Sequence, residues 1–227
     1  MVRIRILVVA CVAVASLATA DVFWRFRRAP STLLSQMGGR SVFTSEATIN
    51  QRPGTVSVYT FENQPPAALT RQLVRQAGCS GSAGGGGTAL LTAVEQGVVR
   101  RMVVLPDAER LERSTVISFE QSMEGAQAGK ASWPAGSVVN LGTPRFSAMC
   151  AATRTLFVTA EMTGTPQAAL DAARMQLVQA GWAEMPVSTP VFSLFVKGLH
   201  VSTVYAGTDS KSGATVISVL QREGASR

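Results

Sequence analysis

The chain has 227 residues, 46% of them hydrophobic and only 15% charged, with a net charge of +7 and a pI near 10.2. That length holds one large domain or two small ones, and the apolar content excludes a chain kept disordered by charge. The charge does not mark a nucleic-acid partner: residues 1–28 carry +4 of it, the rest only +3 with no run denser than Arg100-Arg101, and a phosphate-tracking surface needs a concentrated patch.

The first element is "MVRIRILVVACVAVASLATADVFWRFRR", a basic start followed by an apolar run over residues 6–20. Two physical objects fit residues 1–28. A secretory signal peptide would use Arg3 and Arg5 as its positive end and Ala18-Thr19-Ala20 as its small-residue cleavage site. A retained anchor would extend through Val22, Phe23, Trp24 and Phe26, long enough to cross a hydrocarbon core, with Arg25, Arg27 and Arg28 beyond it. A lipidated Cys11 is a poorer fit, because the residues after it stay apolar. Each reading exports the rest of the chain.

Downstream, the hydrophobic period changes from element to element. A strand over residues 41–49 and a turn at Gln51-Arg52-Pro53-Gly54 lead into "TVSVYTF" (55–61), whose two-residue alternation is that of a half-buried strand. Pro66 opens a helix, where its fixed φ and missing N–H do no harm, with Leu69 and Leu73 on one stripe and Gly78 as the stop. Strands follow over 88–94, 98–105 and 115–120, the first two joined by a tight turn at Gly97. The stretch 124–136, "EGAQAGKASWPAG", reads as a flexible linker.

The series then recurs. Strands are predicted over 145–151 and 155–161, and a helix from Pro166 carries Leu170, Ala173 and Leu177 and stops at Gly181. Strands over 191–196, 199–205 and 215–220 complete it, with a turn at Gly198. The two halves share phrases: "LVRQAG" (73–78) and "LVQAG" (177–181), "STVISFEQ" ending at Gln121 and "ATVISVLQ" ending at Gln221. A period near one hundred residues points to duplicated domains rather than a solenoid. The expected fold is therefore α+β: two tandem β-β-α-β-β-β domains, 31–123 and 137–224, each an antiparallel sheet with one helix packed on one face, after the N-terminal hydrophobic segment.

One helix covers one face of such a sheet. With Val56/Val58 and Leu156/Val158 assigned to the helix side, Tyr59, Phe61 and Phe157 fall on the opposite faces beside Ser57, Thr159 and Glu161. That mixture of aromatic and polar side chains reads as an interface with the aromatics as anchors.

Chemistry-bearing motifs are sparse. In "GCSGSAGGGGT" (78–88) the glycines follow a helix and no lysine stands behind them, so the stretch reads as a flexible connection and not a phosphate cradle. His200 is the sole histidine, which removes triad chemistry built on several partners, and it reads as a half-buried strand residue. Cys79 and Cys150 are the candidate disulfide pair, weighed against two separate buried thiols. Glu109 and Glu112 sit among Arg110 and Arg113 as a solvated cluster, while Glu62 and Glu161 lie at matching strand ends. No catalytic, cofactor-binding or metal-binding residue is assigned. The expectation is a non-enzymatic cell-envelope protein, held at a bacterial inner membrane with its body in the periplasm, or secreted there. Its expected partners are the membrane, through the N-terminal segment, and other envelope proteins of a membrane or secretion-type assembly. The alternative is a periplasmic binding module for a small or polymeric ligand held between the domains.

Overall fold

The computed structural model describes residues 32–83, 89–107, 110, 112–186, 188–209 and 212–224. The hydrophobic segment 1–28 and the glycines at 84–87 lie outside them. The architecture is mostly antiparallel sheet with few helices, the α+β class. It divides into two compact units, residues 32–47 with Arg52–Ala128, and Thr48–Gln51 with 129–224.

The first unit contains α1 (Thr32–Gln36), β1 (Arg40–Ile49, up to residue 47), β2 (Arg52–Phe61), α2 (Pro66–Ala77), β3 (Ser80–Ala83), β4 (Ala89–Glu95), β5 (Val98–Pro106), β6 (Ser114–Ser122) and α3 (Met123–Ala128). Its strands lie in the order β3-β4-β5-β6-β2-β1. The turn before β2 is Asn50-Gln51, both at positive φ, so Pro53 and Gly54 belong to the strand. α2 begins at Pro66 and ends against Gly78 at φ +59°, in the left-handed region glycine enters without strain. Its Leu69 and Leu73 meet Tyr59, Phe61, Met102, Val104 and Val116 in one core, with Leu34 and Met37.

The face assignment made from the sequence is reversed here. Tyr59 and Phe61 are wholly buried under α2, while Val58 points to the other side of the sheet. Alternation says that a strand has two faces; it does not say which one a helix covers.

The second unit contains β7 (Thr143–Cys150), β8 (Thr155–Met162), α4 (Pro166–Gln179), β9 (Ala183–Glu184), β10 (Phe192–Lys197), β11 (His200–Thr208) and β12 (Thr215–Arg222), in the order β7-β8-β12-β11-β10-β9. Within it Thr48 and Ile49 pair with Met149 and Ala148, and Asn50 Oδ1 accepts from the Ser147 amide at 2.8 Å. α4 is capped at both ends: Thr165 Oγ1 accepts from the Ala168 amide at 3.2 Å, and Lys197 Nζ donates to the Ala180 carbonyl at 2.7 Å. Its Ala169, Leu170, Ala173 and Leu177 close a core with Ala160, Phe195, Val204, Ala206, Ile217 and Val219.

Four elements depart from the sequence reading. The helix α1 (Thr32–Gln36), which places Leu34 in the first core, has no counterpart in it. β3 and β9 were not expected, being four and two residues long and, for β3, glycine- and serine-rich, with too few side chains to show a period. The stretch 124–136 is not a bare linker: Met123–Ala128 is helical, with the Ser122 hydroxyl accepting from the Gly125 amide at 3.0 Å, and Trp133 packs against the second core.

Candidate functional site

The helix of the second unit leaves one face of its sheet uncovered by α4, and the ladder register defines what that face carries. Core residues Ala160, Ile217, Val219, Val204 and Ala206 alternate with Phe157, Val216, Ser218, Leu220, Thr203 and Tyr205, which therefore point the other way. Directly opposed residues share a face and neighbour one another across the strands. One such row runs Tyr205, Ser218, Thr159, Phe146, and the next runs Thr203, Leu220, Phe157, Ala148. Phe146 and Phe157 form a tilted aromatic pair, ring centroids 6.1 Å apart.

This surface is neither core nor plain solvated sheet. Phe146, Phe157, Leu220, Ser218 and Thr159 are half-buried, Thr203 and Ala148 are buried, and Tyr205 is 47% exposed. The Tyr205 ring is laid across Gly207, two residues on along the same face: a Cβ at Gly207 would stand 2.9 Å from the tyrosine oxygen and 3.0 Å from Cε1. The missing side chain lets the ring lie close to the backbone. At the border, Arg145 Nε donates to Glu161 Oε2 at 2.8 Å, so the Glu161 carboxylate read from sequence is an ion-pair partner.

Of the three residues read as interface anchors, Phe157 lies on this uncovered face. Tyr59 and Phe61 do not lie on any such face; they are core. Tyr205, Leu220 and Phe146 were not singled out, although "VYAG" (204–207) carries the signal, an aromatic out of phase with Val204 and Ala206 and two residues before a glycine.

The remaining candidates have structural surroundings. Cys79 and Cys150 are both buried, free thiols. Burial pushes the Cys79 thiol up, and the nearby Arg100 guanidinium only partly opposes that, so the reactive thiolate is disfavoured. His200 is half-buried, edge-on to Trp182 at 6.3 Å, with Nδ1 accepting from the Gly224 amide at 3.2 Å. Arg113 pairs with Glu62 at 3.0 Å and with Asp107 at 3.6 Å. Glu109 lies outside the described residues.

Two charged clusters hold elements together. Arg100, buried on β5, donates to Glu120 at 2.8 Å and to Glu95 at 3.2 Å; burial lowers its proton affinity, but the two carboxylates outweigh that and raise it. Arg174 on α4 forks onto Glu184 at 2.8 and 3.1 Å and also reaches Asp171, while the buried Ser193 hydroxyl donates to Glu184 at 2.9 Å. Burial pushes the Glu184 carboxyl up, yet the hydrogen bonds from Arg174, Ser193 and Ser188 together hold it below the usual range.

Among the described residues no group of three or more His, Cys, Asp or Glu side chains is placed to hold a metal ion, and no helix is long and apolar enough to cross a membrane. No protein family, curated protein or solved structure matches the chain.

Proposed function

We propose that this is a non-enzymatic envelope protein, tethered to a bacterial inner membrane by its N-terminal segment or released from it into the periplasm, that serves as an interaction component of a membrane or secretion-type assembly. The observation that carries the reading is the sheet face that α4 does not cover, around Phe157 and Tyr205. Half-exposed aromatics bordered by hydroxyls and an ion pair have the composition of an interaction surface, with an apolar centre and a polar rim. The hydrophobic run in residues 1–28 supports the tether.

The test is the double substitution Phe157→Ser with Tyr205→Ser in the full chain, followed by affinity purification from membranes. Neither residue belongs to the core cluster under α4, so folding stability is expected to stay within about 1–2 kcal/mol of the parent while co-purifying proteins are lost. Retention of the same proteins by the folded variant overturns the assignment of this face.

We further propose that the two units descend from one duplicated β-β-α-β-β-β domain. A shared detail beyond the repeated phrases supports this. At the start of the last strand of each unit a buried hydroxyl donates to the carbonyl just ahead of the helix: Ser114 to Gln64 at 2.5 Å, and Thr215 to Gly164 at 2.6 Å.

A further inference from the structure

The outer strands of the two units are built differently. In the second unit β9 is two residues long, and its Glu184 is held by Arg174 at 2.8 and 3.1 Å and by the Ser193 hydroxyl at 2.9 Å. The chain beyond it stays on β10: the Met185 amide donates to the Leu194 carbonyl at 2.8 Å, and Thr189 and Phe192 exchange backbone bonds at 2.6 and 3.2 Å. Pro186 and Pro190 stand in that stretch and have no N–H to offer a further strand. Shortness, charge and proline are the devices that keep a sheet edge from pairing with another chain.

The outer strand of the first unit, β3, carries neither charge nor proline. It is Ser-Gly-Ser-Ala, paired to β4 from Ser80 with Thr92 to Ala83 with Ala89. Among the described residues no strand pairs with its far side. No charged residue and no proline occurs anywhere from Gly78 to Val94. A Cβ at Gly81 would run into the Leu90 carbonyl oxygen, so this position has to stay bare. Ser80 and Gly81 are exposed. On the neighbouring β4, Leu90 and Val94 alternate with the core residues Leu91 and Ala93 and are 54% and 57% exposed.

We infer that β3 is an open pairing edge through which two copies of the chain associate, each laying its strand antiparallel to the other about a twofold axis. Two features select a second copy over a foreign strand. Strand addition gains its specificity from pockets for alternate side chains, and a Ser-Gly-Ser-Ala sequence has little to build them from; what it fits is a strand equally small. A twofold pair also offers the same patch from both sides, so any charge on it would meet its own sign. The uncharged stretch from Gly78 to Val94 permits that approach. A four-residue ladder is smaller than the roughly 1,200–2,000 Å² interface of a stable complex, so the association is weak and rises with concentration. It is independent of the interaction face proposed above, which belongs to the second unit.

The test is sedimentation of the full chain in detergent micelles over a range of concentrations. The parent is expected to pass reversibly from one copy to two. Ser80→Lys sets like charges against each other at an exposed position outside the core, and should weaken the association about tenfold or more. Mixing it with Ser80→Glu should restore the pair. A nitroxide at Leu90→Cys, with the native cysteines changed to alanine, places the second readout. In a β3-to-β3 pair the two labelled positions stand three strand spacings apart, about 15 Å, and their spectra should show dipolar broadening. A parent that stays single at every concentration overturns the inference. So does a Ser80→Lys variant that associates as the parent does, a mixture no tighter than either variant alone, or a pair without coupling at position 90.

Discussion

Arg100 and Glu120, directly opposed on β5 and β6, are joined at 2.8 Å with only 8% of the arginine side chain exposed. Such a pair stabilises little against apolar residues of equal volume, because desolvating both charges offsets their attraction, but removing one partner strands the other. Glu120→Ala leaves Arg100 with the 3.2 Å bond to Glu95 and is expected to destabilise the protein by about 1–3 kcal/mol in denaturant unfolding. Arg100→Met combined with Glu120→Leu should recover most of that loss. A double variant as unstable as the single one would mean that the loss comes from packing at these positions and not from the stranded arginine.

Tyr59 and Phe157 occupy similar places in sequence and opposite kinds of place in structure. Tyr59→Ala empties a wholly buried site beneath α2 and should cost about 3–5 kcal/mol. Phe157→Ala, on a half-buried face, should cost well under half of that. Equal losses in thermal or denaturant unfolding would contradict the two burial states.

The Glu184 carboxyl is held low by Arg174, Ser193 and Ser188 against the opposing push of burial. A carboxyl lower in the folded state than its unfolded value of 4.5 binds fewer protons when folded. Its stabilising contribution is thus complete above about pH 4.5–5 and is lost as pH falls through the folded value. Glu184→Gln should flatten the fall of stability below about pH 4.5, read by denaturant midpoints at each pH. An unchanged slope would show that Asp171 or another acid carries that dependence.

Thr215→Val keeps the shape of the side chain and deletes the hydroxyl that satisfies the Gly164 carbonyl at 2.6 Å. The unpaired buried acceptor is expected to lower stability by about 1–3 kcal/mol, and Thr215→Ser should recover much of it. A Thr215→Val variant as stable as the parent would show that the Gly164 carbonyl does not depend on this hydroxyl.

The sequence by itself determined the kinds of element and their order, because those follow from local physics. Pro66 and Pro166 could only open helices where no N–H is needed, Gly78 and Gly181 could leave them at positive φ, and alternation in "TVSVYTF" could only be a strand with two unlike faces. What it left open was which face meets the helix, since a period of two is unchanged by a shift of one residue. The repeated "TVIS" shows the consequence. In β6 Val116 enters the core and Ile117 is half-exposed, whereas in β12 Ile217 enters and Val216 is half-exposed. The phrase is the same and its faces are inverted. β6 also buries Ser118 and Phe119 in succession, an irregularity that no alternating pattern contains. Register against neighbouring strands and the position of a helix above them are non-local, so only the tertiary structure moved Tyr59 and Phe61 into the core and left Phe157 and Tyr205 on the face that α4 does not cover.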